Sequence, residues 1–242
     1  MRVLGEARHT LWPPVGDRHG PLAPMLVVLT IVTGLVDAAS YLKLGHVFVA
    51  NMTGNVVFLG FALAGASGLS AGSSLVALGA FLLGALGGGW LDGRNPQHRG
   101  RMLRAAGFAQ APLMAAALLV AVLGATPPDR GVRLAMIALL ALAMGVQNAA
   151  AQRLAVPELT TSVLTKTLTG IASEAGILGG AGSKLGRRGI AVAAMLVGAL
   201  IGAVLVLHVS VAADIALALC LGLLVAFAVH LASRSDAPWT RP

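Results

Sequence analysis

The chain has 242 residues, 57% of them hydrophobic and 11% charged, with a mean hydropathy of +0.86, a balance that excludes an ordinary soluble domain. Its net charge of +8 sits in short loops between apolar stretches, which marks membrane topology and excludes a nucleic-acid patch. Cys220 is the only cysteine, so neither an internal disulfide nor a thiolate metal cluster can form.

Residues 1–24 carry Arg2, Arg8 and Arg18 among four prolines and are expected to be a disordered tail. Eight apolar segments follow: 25–44, 47–66, 71–91, 105–125, 132–151, 159–181, 189–209 and 211–232. Strand alternation is absent, and several segments reach the roughly 20 residues that a helix needs to cross about 30 Å of hydrocarbon. The first segment holds Asp37 and runs on into "SYLKLG", unlike a cleaved leader. The second is interrupted by Asn51, Thr53, Gly54 and Asn55. The fifth holds Gln147 and Asn148, and the sixth holds Thr165, Lys166, Thr167 and Glu174. Residues 233–242 form a second short tail.

Two interior loops are basic, "DGRNPQHRGRMLR" (92–104) and "GSKLGRRG" (182–189), with three segments between them. Three crossings would put the loops on opposite sides, against the bias of Lys and Arg toward the cytoplasm. The conflict disappears if 47–66 and 159–181 enter and return on one side, leaving six full spans. Thirteen of the seventeen Lys and Arg residues then lie inside with both termini.

The doubtful segments also occupy equivalent places in an internal repeat. "GLVDAASYL" matches "GVQNAAAQRL" at an offset of 111, placing Asp37 on Asn148. Thr53 and Asn55 meet Thr165 and Thr167 at 112, and Ala80, Gly84 and Gly88 meet Ala194, Gly198 and Gly202 at 114. With three spans per half, the halves (about 25–125 and 132–232) have opposite orientations. The expected fold is an all-α polytopic bundle, a 3+3 inverted repeat with two interrupted segments.

Irregular backbone at membrane depth needs hydrogen-bond partners from protein or a wet cavity. Asn51, Thr53 and Asn55 are candidate caps for a short helix starting near Val56, whose amino end would suit an anion or a carbonyl-bearing solute. Lys166 adds positive charge in the second half. Asp37 within a span marks an ion or proton path by default, with Tyr41 one turn away as a hydrogen-bond partner and Lys166 or Lys43 as counter-ions. The plainer reading makes the same residues structural caps and interhelical glue. The small-residue stripes are packing surfaces within one chain or between copies, so a homo-oligomer through Gly84 and Gly88 or Gly198 and Gly202 is an open option. Motifs for catalysis, metals and cofactors are absent, so none is expected.

"TGLVDAASYLKLGHVFVANMTGNVVFLG", with "AMGVQNAAAQRL" and "TSVLTKTLT", resembles the YoaK-like bacterial membrane proteins across about residues 25–232. That family is classed as a domain of unknown function. The resemblance implies the inner membrane of a bacterium and supplies no activity; Lys166 stands where it leads one to expect a glycine. The expected function is a small-solute permease, anions included, with Asp37 as coupling or gating carboxylate. Its partners would be the lipid bilayer and an unknown small solute, with no nucleic acid. The alternative is a non-transporting membrane scaffold.

Overall fold

The computed structural model describes residues 2–14, 16–94, 98–124, 128–159, 164–173, 184–233 and 237–241. All regular structure in these residues is helical: α1 (Arg2–Leu11), α2 (Leu22–Lys43), α3 (Met52–Leu63), α4 (Ala71–Arg94), α5 (Arg99–Leu123), α6 (Arg130–Leu154), α7 (Leu164–Ser173), α8 (Leu185–His208) and α9 (Val211–Ala232), with a 3-10 turn at Pro238–Thr240. Six of them, α2, α4, α5, α6, α8 and α9, are long and apolar enough to cross a membrane. At 12 and 10 residues, α3 and α7 span only about 18 and 15 Å.

The helix ends sort onto two faces. Lys43, Gly45, Ser70, Ser73, Arg130 and Arg133 gather at one, here the far end, where the last five line a cavity with Gly68, Leu69 and Leu134. At the other, the basic end, the Arg99 guanidinium donates to the Leu154 carbonyl and to that of Arg18, and Arg188 pairs with Glu158. The chain therefore leaves α2 and re-enters α4 at the far end, so α3 enters and returns on one side. The link from α6 to α8, which contains α7, begins and ends at the basic end.

α2 and α6 form the centre, with 78% and 67% of their most apolar stretches buried against about a quarter for most other spans. The packing between halves is reciprocal: α4 lies on α6 and α8 lies on α2. These contacts match almost atom for atom. A Cβ on Gly84 would strike the Leu142 carbonyl, and one on Gly198 would strike that of Ile31. Gly88 faces Ala149 and Val146 where Gly202 faces Ala38 and Leu35; Gly145 faces Phe81 and Ala85 where Gly34 faces Met195 and Ala199. Every residue in the second contact is its counterpart in the first shifted by 111 or 114. Both glycine stripes are thus filled from within this chain and are not open to a second copy, because helix backbone already occupies the space above them.

Gly84→Ala and Gly198→Ala are each expected to destabilise the protein by about 2 kcal/mol, since the neighbours are backbone and cannot rotate away. Gly79→Ala and Gly87→Ala, which open onto free space, should be neutral or slightly stabilising. Thermal unfolding in detergent reads all four.

The amino-terminal residues differ from the expected disordered tail. Glu6 accepts the Gly186 N–H at 3.1 Å, and Thr10 accepts from Arg187 at 3.4 Å, so α1 is pinned to the start of α8. A carboxylate at a helix amino end is favourable electrostatically, a tertiary contact that composition does not report. At the other terminus Trp239 is 7% exposed, packed over Gly20 and Gly100.

Candidate functional site

Past Lys43 the backbone reverses through two left-handed residues, Gly45 (φ 108°) and His46 (φ 55°). Residues 47–51 then run back toward the middle of the bundle. Asp37, six residues or about 9 Å inside the end of α2, meets them there. Its Oδ1 accepts the N–H groups of Val49 and Ala50, both at 2.9 Å, and its Oδ2 accepts Nδ2 of Asn51 at 2.5 Å. Asp37 is 4% exposed. The carboxylate serves as the missing hydrogen-bond partner of irregular backbone at membrane depth, and it lies at the positive end of α3. The anion place offered by that helix end is filled by the protein's own side chain.

Asn55, on the first turn of α3, holds the same segment from the other side. Its Oδ1 accepts the Phe48 N–H at 2.8 Å and its Nδ2 donates to the Phe48 carbonyl at 2.5 Å. Phe48 then stacks on Tyr41 (5.2 Å between centroids) and Phe58 (5.8 Å), with His46 edge-on to Tyr41. Gly54 is required because a Cβ there would lie 2.6 Å from the Phe48 ring.

Several sequence expectations change here. The short helix begins at Met52 rather than near Val56, and Asn51 occupies its N-cap position without making a capping bond. Asn55 likewise bonds the incoming strand of chain instead of capping, and Thr53 is exposed. Tyr41 stacks and makes no hydrogen bond to Asp37, while neither Lys43 nor Lys166 forms an ion pair with it. Amides reach the carboxylate first, because the chain folds back over it within 14 residues.

The second-half candidates lie elsewhere. Gln147 is buried among α2, α5 and α6, donating to Thr33 Oγ1 (3.0 Å) and the Leu29 carbonyl (3.2 Å) and accepting from Gln110 (2.9 Å). Asn148, aligned with Asp37 in the sequence, donates to the Met144 carbonyl of its own helix. On α7, Thr165 and Lys166 are exposed and Thr167 is buried. Glu174 lies outside the described residues. The expected residues thus fall into a far-end cluster, a central amide cluster and a basic-end helix, rather than lining one space.

Three groups escaped the sequence reading. Gln110 is visible as the one amide in the apolar segment 105–125. Arg188 reads as a loop charge in the sequence, yet it is 6% exposed and holds Glu158 bidentately, Nε to Oε2 at 2.9 Å and Nη2 to Oε1 at 3.1 Å. These bonds hold the Glu158 carboxyl below the usual carboxylate range, opposed by partial burial and aided by the field of Arg188, Lys184 and Lys166. Gly170 of α7 lies over the guanidinium, where a Cβ would be 2.5 Å from Cζ. The third is Asp214, in the first turn of α9.

An all-helical bundle with six apolar spans and its polar side chains locked inside is a multi-pass membrane protein. Comparison with known proteins agrees. The chain belongs to the family described as "Protein of unknown function (DUF1275)", whose model matches residues 25–230. One relative, the UPF0700 transmembrane protein YoaK of Bacillus subtilis (strain 168), is 32% identical over 149 residues, 61% of this chain and 64% of that protein. The match therefore spans a little under two thirds of the relative's length. No solved structure matches the chain.

Proposed function

We propose that this protein is a small-solute permease of the bacterial inner membrane, built as an inverted repeat with both termini in the cytoplasm. The observation that carries this reading is the reciprocal exchange of α4 and α8 between the halves, with equivalent residues in both crossings. Inverted repeats carrying interrupted segments at matching places suit alternating access, in which one set of helices rocks against the other. Here α2 with α8 and α4 with α6 are the natural rigid pairs, because glycine contacts leave them no freedom to slide. α3 and α7 then act as gates at opposite ends. Asp37 sets the far-end gate by holding 48–51 in place, and its role is gating rather than direct contact with solute.

Uptake into liposomes of purified protein, screened over anions and neutral metabolites with and without a proton gradient, tests the reading. Accumulation of one solute class supports it; a well-folded protein that moves none of them counts against it. Orientation is tested in a Cys220→Ala background by cysteines at positions 67 and 183 in intact cells. Labelling from outside is expected at 67 and not at 183, and the reverse would overturn the orientation.

A scaffold without transport is the second reading. Asp37 favours it, since its oxygens are occupied by protein amides.

A further inference from the structure

Asp214 is fully buried, and neither carboxyl oxygen has a hydrogen-bond partner among the described residues. The side chain lies at the junction of α2, α8 and α9, where a Cβ built on Gly202 would stand 2.9 Å from Oδ1, beside the Ala38 methyl and the Leu35 backbone. The helix does not need this carboxylate to start. Ser210 is the N-cap of α9, accepting the Ala213 N–H at 3.0 Å. The first turn of α9 offers this buried carboxylate the field of the helix dipole and no hydrogen bond.

An ionised carboxylate taken out of water without a donor or counter-ion is among the most expensive groups a protein can bury. Adding a proton removes the charge. A metal cation would need several more oxygen ligands, and among the described residues no group of three or more His, Cys, Asp or Glu side chains comes together to hold one. The occupant that fits is a single proton.

The site also has an approach. A cavity of about 410 Å³ opens at the far end, lined by Lys43, Val206, Ser210 and Val211 among others. Val206 lies one turn beyond Gly202 on α8, and Ser210 lies one turn before Asp214 on α9. The carboxyl is therefore about one turn, ~5 Å, below the cavity floor.

Other titratable groups on the elements packed against this end of α9 are Asp37, Tyr41 and Lys43 of α2 and His208 of α8. The far-end half of α5 contributes none, and α9 itself adds Cys220, which is exposed. Asp37 is committed to loop amides, Lys43 and His208 are exposed, and none of the cations forms an ion pair with Asp214.

We propose that Asp214 is a proton-binding site reached from the far-end cavity. Cavity water delivers a proton to one carboxylate oxygen and takes it back, with no bond otherwise made or broken. Under the permease reading, on which this part rests, Asp214 and not Asp37 is the carboxyl whose loading and unloading accompanies solute movement.

Infrared difference spectra of the full-length protein in lipid, titrated with pH in H2O and D2O, read the proton directly. Wild type should show a protonated-carboxyl stretch near neutral pH that shifts in D2O, and a folded Asp214→Asn protein should lack it. Absence of the band from wild type, its survival in D214N, or its loss on adding sodium, potassium or calcium at constant pH would each overturn the proposal. Should D214N not fold, the pH dependence of wild-type unfolding decides. A folded state that keeps a proton the unfolded chain has released loses stability as pH rises, by about tenfold in the unfolding constant per pH unit while that group alone titrates. A profile without such a fall overturns the site. Neither readout needs a solute, so failure to find uptake would remove the permease reading and leave the proton site testable.

Discussion

Asp37→Ala is expected to destabilise the protein by about 4 kcal/mol, the largest effect of any single side-chain truncation in the far-end half. Two buried backbone N–H groups, those of Val49 and Ala50, lose their acceptor along with the Asn51 amide. Each unsatisfied buried donor costs about 1–3 kcal/mol. Asp37→Asn keeps an oxygen for the two backbone amides but sets its own NH2 against that of Asn51, and should lose about half as much. Thermal unfolding in detergent, with helix content by circular dichroism, separates the two variants. Equal stability of Asp37→Ala and wild type would show that the carboxylate is not what holds residues 48–51, and would return Asp37 to the candidates for solute contact.

Arg188→Met is expected to cost about 3 kcal/mol, the lower end of the range for breaking a buried ion pair. The lower end applies because the Glu158 side chain keeps 14% of its surface in contact with solvent. The same pair has a pH signature. Since the folded-state Glu158 carboxyl is held low by Arg188, its contribution is complete above the ordinary carboxylate range and disappears as pH falls through ~4 and below. Wild-type stability should therefore drop on acidification more steeply than that of Glu158→Gln, which has no carboxylate to protonate. Parallel acid profiles would mean that the pair adds nothing.

Much of this architecture was legible in the amino-acid sequence because charge and spacing are strong signals in a membrane. The parity of the two basic loops set 47–66 and 159–181 apart from the full spans, and six long apolar helices are what the described residues show. The glycine triplets aligned in the sequence make equivalent close contacts, Gly84 on Leu142 and Gly198 on Ile31. The letters alone left open what each stripe touches, since a surface of small residues serves a neighbouring helix and a second copy equally well. The candidate site was legible in part. Asp37, Asn51 and Asn55 do belong to one cluster, but their acceptors and donors are backbone groups of Val49, Ala50 and Phe48, which look like any other apolar residues in a string of letters. Asp214 was passed over for the opposite reason: near a segment end a carboxylate reads as solvated, and only its burial against Gly202 makes it unusual.

The twelve residues of α3 expose Val56, Val57, Phe61 and Leu63. This helix adds apolar cross-section at the far end alone; α7, with Thr165 and Lys166 exposed, is not among the apolar helices. Area displaced in one leaflet and not in the other makes a wedge, which favours a curved bilayer. A chain whose α3 was cut back is therefore expected to partition between small and large vesicles differently from the intact protein.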